Sequence, residues 1–156
     1  MIVELIVAFI ATLAFGVVFN VPVRYLLLGA LAGTIGWFIY KSLGAANSAV
    51  FFASLGIGIL AEAGARIFRV PVLIIAVPGI IPLVPGVDAY FTMIALVKGD
   101  FTGALTKGVE TLFAAGAIAV GIALATVPWR LVRKGGAKLV RKTAHTNIAA
   151  LDSPKH

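Results

Sequence analysis

Three prolines and two glycines, Pro78, Gly79, Pro82, Pro85 and Gly86, fall within nine residues of an otherwise apolar stretch, and Asp88 follows them. Proline lacks the N–H that an α-helix needs at interior positions and glycine loosens the backbone, so a regular helix does not run through this stretch intact. In lipid, unpaired backbone survives only where protein or a watery cavity covers it. The prolines are expected to release the carbonyls of Ile74, Pro78 and Ile81, and a second half-helix is expected to open near Gly86 with Asp88 as its N-cap. Carbonyl dipoles and half-helix N-termini are the means by which membrane transporters hold a small zwitterion or carboxylate at mid-membrane. Pro78, Gly79, Pro82, Pro85, Gly86 and Asp88 are therefore the candidate substrate-binding residues; the alternative is a kink that serves packing alone.

A second group with chemical potential is Ser54, Gly58, Glu62 and Arg66, which recur every four residues and so stack on one helical face. A carboxylate well inside a bilayer costs about 3 kcal/mol. Glu62 is thus either half of an interfacial i,i+4 ion pair with Arg66 or a proton-linked, substrate-facing acid, and it is the coupling candidate. Catalysis finds no footing. The chain has no cysteine, and its two histidines, His145 and His156, both lie near the C-terminus, so neither a metal centre nor any other cofactor is expected. No Ser/His/Asp set and no nucleotide-binding motif occurs, which points away from an enzyme and toward an ion gradient as the energy source.

The elements that must position these residues are membrane helices. With 61% hydrophobic and 12% charged residues and a mean hydropathy of +1.08, the 156-residue chain reads as an all-α integral membrane protein. Residues 2 to 19 span about 27 Å as a helix, close to a ~30 Å hydrocarbon core. Glu4 in place of a basic leader segment makes this a first transmembrane helix rather than a signal peptide. Residues 26 to 40 and 49 to 65 form the second and third spans. The second carries the small-residue ridge Gly29, Gly33 and Gly36, with Trp37 and Tyr40 placed like interfacial aromatics. Residues 71 to 85 and 87 to 97 are each short and together make one broken span. After a loop from Lys98 to Lys107, Glu110 opens a last span through Val127, with a further ridge at Gly116 and Gly121. Such ridges invite close helix approach, within the chain or with a partner.

The expected architecture is a five-span helical bundle with one Pro/Gly-broken helix: a transmembrane domain over 1–130 and a basic cytoplasmic tail over 131–156. Seven of the thirteen basic residues follow residue 129, a topology signal before it is a nucleic-acid signal, and nucleic acid is not an expected partner. Five spans with a cytoplasmic C-terminus place ten basic residues inside and three, Lys41, Lys98 and Lys107, outside. A re-entrant proline segment would leave four spans and a weaker bias of eight to five.

At Phe19-Asn20-Val21-Pro22-Val23-Arg24, at Gly33-Thr34-Ile35-Gly36, and above all at Val77-Pro78-Gly79-Ile80-Ile81-Pro82-Leu83-Val84-Pro85-Gly86 with Tyr90, the chain resembles the small membrane half of the threonine/serine exporter family. The likeness covers roughly residues 1 to 130. It implies an inner-membrane efflux system, multi-pass and in the plasma membrane, for small hydroxy amino acids or, in two-subunit members, for dicarboxylates such as succinate. It also implies a larger partner with a similar five-span set and a soluble N-terminal domain, and it adds Tyr90 to the substrate-binding candidates. A homo-oligomer is the other assembly open to the chain. A non-transporting membrane scaffold and a passive channel are the competing functions.

Overall fold

The computed structural model describes residues 1–151, and side chains over residues 1–127 apart from Asn47. The expected tail over 131–156 therefore lies, in its side chains, outside the described residues. Two compact units divide the chain, Met1–Ala125 and Thr126–His156.

Among the described residues the chain is helical throughout: α1 (Ile2–Val18), α2 (Val23–Ser42), α3 (Asn47–Phe68), α4 (Leu73–Ile80), a 3-10 turn (Ile81–Leu83), α5 (Gly86–Val97) and α6 (Phe101–Leu151). Three stretches, Val23–Ser42, Ser48–Phe68 and Phe101–Val127, are long and apolar enough to cross a membrane. The bent pair formed by Leu73–Leu83 and Gly86–Val97, with 53° between its halves, makes a fourth if it counts as one, and Ile2–Val18 is apolar but shorter. The protein is thus an all-helical, membrane-embedded one. Helix α6 begins earlier than its sequence suggests. The loop ends at Asp100, whose Oδ1 accepts the Gly103 N–H at 2.9 Å and so caps the new helix at Phe101.

Helix α2 contacts α1, α3 and α4. Its glycines make this possible, since without side chains they let neighbouring backbones approach closely. A Cβ at Gly29 would lie 3.1 Å from Pro78 Cγ, one at Gly33 would lie 2.6 Å from Thr12 Oγ1 and 3.0 Å from the Gly79 carbonyl, and one at Gly36 would collide with the Ile57 side chain. The Gly29/Gly33/Gly36 ridge is therefore consumed inside the chain and is not left bare for a partner. A core of Ala32, Ala53, Ile57, Ala61 and Ile75 fills the space around it.

Residue pairings fix the helix directions. Helices α1 and α2 are antiparallel: Gly16 faces Leu26, Thr12 faces Gly33, and Glu4 pairs with Lys41 at 3.2 Å. Helix α4 runs parallel to α2, with Ile75 and Pro78 at Gly29 and Gly79 at Gly33. Helix α6 runs parallel to α3, because Ser54 faces Ala117 and Gly121 while Gly58 faces Ile122 and Ala125.

Candidate functional site

The proline stretch divides into a packed half and an open half. Pro78 and Gly79 are buried, the ring of Pro78 against Gly29 and the backbone of Gly79 between Ile57 and the Gly29–Gly33 face. Gly79 lines neither of the two openings described below, whereas Pro78 borders the second. Pro82, Leu83, Val84, Pro85, Val87 and Asp88 instead line a cavity of about 210 Å³ with Trp37 and Tyr40 of α2, Val50 of α3 and Ala114 of α6. This far exceeds the ~10–15 Å³ that one water requires.

Two expectations about the backbone are corrected here. Of the three carbonyls that the prolines release, Pro78 O accepts the Ile81 N–H and Ile81 O accepts the Val84 N–H at 3.2 Å, so the 3-10 turn takes up both. The Gly86 N–H goes to Val84 O at 2.7 Å. The break is closed by its own short-range hydrogen bonds, as apolar surroundings require. Asp88, expected as the N-cap of α5, sits one turn further in. Pro85 occupies the cap position and no side-chain cap bond forms, which leaves the Asp88 carboxylate in the first turn, where the helix dipole favours it. It approaches Lys107 Nζ at 3.9 Å.

Gly86 and Tyr90 are exposed and not part of the cavity wall; Tyr90 stacks edge-on against Phe91, 5.7 Å between ring centroids. In their place stand Trp37 and Tyr40, two aromatics read from sequence as interfacial. Their rings tilt at 44° with centroids 5.3 Å apart, and Lys41 Nζ lies 5.6 Å from the Trp37 ring. Trp37 Nε1 is buried with no hydrogen-bond partner among the described residues. Only their i,i+3 spacing on α2 hinted that the two rings share a face.

Glu62 is 7% exposed and pairs with Arg66 at 3.5 Å, the i,i+4 contact that their spacing leads one to expect. It lies twelve residues along α3 from Val50, about 18 Å at 1.5 Å per residue, so it does not join the cavity. No group of three or more potential metal ligands occurs among the described residues.

A second opening, about 480 Å³ and apolar, lies toward the α1–α2 turn, between Phe19, Asn20, Val21 and Pro22 on one side and Leu73, Ile74, Val77 and Pro78 on the other. Pro78 and Gly79 stand between it and the cavity along α4.

The apolar helices thus leave openings toward both ends of the proline-interrupted helix α4. The chain belongs to the threonine/serine exporter family: the family model described as Threonine/Serine exporter, ThrE, matches residues 4–127. No solved structure matches the chain.

Proposed function

We propose that the protein is a subunit of a secondary transporter that exports threonine and serine across the inner membrane, together with a larger five-span partner that has a soluble N-terminal domain. Membership of the exporter family supports the transport class. The observation that carries the site is the cavity at the end of the proline stretch, whose lining includes one carboxylate, Asp88, and the aromatic residues Trp37 and Tyr40. A carboxylate next to aromatic faces suits an ammonium group, which both attract. That favours amino acids over dicarboxylates such as succinate, which carry no ammonium group. The packed pair Pro78 and Gly79 is a plug between the two openings rather than a ligand contact, and sliding of α4 along the glycine face of α2 would exchange which one is open.

The parallel register of α3 and α6 supports five spans. With α2 and α3 antiparallel (Gly36 against Ile57, Gly56 against Ile39), two helices running the same way require one crossing between them, and the α4–α5 element provides it. A re-entrant element would return α6 antiparallel to α3. The basic asymmetry then places the C-terminus in the cytoplasm.

Efflux from preloaded cells expressing the chain with its partner tests this reading. Asp88→Asn should cut threonine and serine efflux about tenfold, the worth of a charge-assisted hydrogen bond of ~1.5 kcal/mol, with expression unchanged. Undiminished efflux would remove the cavity as the site.

A further inference from the structure

Asp88 has a neighbour that neither the sequence motif nor the family likeness points to. Lys107, on α6, holds Glu110 Oε2 at 2.7 Å and stands 3.9 Å from Asp88 Oδ1, at the outer edge of an ion pair. Glu110 is three residues further along the same helix, so this grip persists whatever happens on α5. Lys107 is thus a cation shared unequally between two carboxylates, of which only Asp88 lines the cavity.

We propose that Lys107 is a specificity-determining counter-ion of the cavity: it balances Asp88 while the cavity is empty and withdraws fully onto Glu110 when a ligand's ammonium group takes its place. The inference rests on the reading of the cavity as the amino-acid site. The Asp88 and Lys107 side chains are 44% and 45% exposed, so a resident cation steadies Asp88 in the empty cavity by a modest Coulomb attraction that an incoming ammonium group can replace. A lysine tied too tightly to Asp88 would shut out the substrate, and one absent altogether would leave the cavity open to any cation. Glu110 sets the balance by giving Lys107 somewhere to go. A ligand without an ammonium group, such as a dicarboxylate, cannot perform the exchange.

The exchange predicts opposite signs for two neutral substitutions. Removing the competitor with Lys107→Gln should tighten binding of labelled L-threonine to the purified full chain about two- to fivefold, the range for a partly exposed ion pair. Glu110→Gln, which frees Lys107 to settle on Asp88, should weaken binding by a similar factor. Succinate should gain nothing from Lys107→Gln. In an Asp88→Asn background both effects should vanish. If Asp88→Asn leaves threonine binding intact, the cavity reading itself fails. If Asp88→Asn lowers binding while Lys107→Gln and Glu110→Gln shift affinity the same way or not at all, the cavity stands and the counter-ion role is overturned, since a merely structural ion cluster would be weakened by both changes.

Discussion

The ring of Pro78 fills the notch left by Gly29, so tightly that a Cβ on Gly29 would sit 3.1 Å from Pro78 Cγ. A helix-breaking residue and a side-chain-free residue, forty-nine positions apart in sequence, thereby form one joint. The joint explains why a proline is kept inside α4, and it assigns the proline stretch two roles. Its first part packs against α2 and its second part lines a cavity.

Closure at this joint predicts that Gly33→Leu harms folding of the chain itself. The added atoms meet Thr12 and the Gly79 carbonyl, neither of which has room to retreat, and overpacking of this kind costs about 1–3 kcal/mol. Thermal unfolding in detergent should show a clear loss of stability. Gly116→Leu is the contrast: nothing lies within 4 Å of a Cβ there, and the residue borders an open apolar groove with Phe51, Phe113 and Val120, so stability should hold.

The bend between α4 and α5 predicts the outcome of Pro82→Ala combined with Pro85→Ala. Restored N–H groups let α4 extend through the 3-10 turn, which straightens the 53° bend and turns Asp88 away from Trp37 and Tyr40. Threonine efflux should fall while membrane insertion stays normal. Efflux at the parental level would mean that the prolines do not position the cavity.

Glu62, about 18 Å along α3 from the cavity, is predicted to act on coupling or stability but not on substrate affinity. Glu62→Gln should leave the KM for threonine unchanged. If Glu62 is the proton-linked acid, efflux in that variant should lose its dependence on an imposed pH gradient. A raised KM would place Glu62 in the substrate site after all.

The parallel run of α3 and α6 together with the ten-to-three basic asymmetry predicts the orientation. Reporter fusions at residues 45, 68, 103 and 145 should read out, in, out and in. Reversal at 45 and 68 with 145 unchanged would replace five spans by four and a re-entrant element.

Much of the fold is legible in the sequence because apolar runs, punctuated by Pro22, Lys41 and the Arg66–Arg69 pair, mark helix ends directly. Helix α3 closes where those arginines stand, with Arg69 in the left-handed region at φ 54°. The start of α6 was less legible: Asp100 and Gly103 look like loop residues until their hydrogen bond makes the first a cap. The site was half legible. Pro82, Pro85 and Asp88 could be found from their types, but a sequence records that Pro78 and Gly79 break a helix without recording that Gly29 and Gly33 receive them. Nor does it record that the 3-10 turn recovers the Pro78 and Ile81 carbonyls, or that Trp37 and Tyr40 line one cavity with Pro85. Those facts are long-range, and spacing along one helix carries none of them.

Trp37 and Trp129 are the only tryptophans in the chain, so Trp129→Phe leaves a single indole, the one in the cavity wall. Titration of that purified variant with L-threonine tests the central claim, that the cavity beside Asp88 is where the exported amino acid binds. The account predicts a saturable change in Trp37 emission that is lost when Asp88→Asn is added. An emission that does not respond to threonine, or responds equally with and without the Asp88 carboxylate, would contradict it.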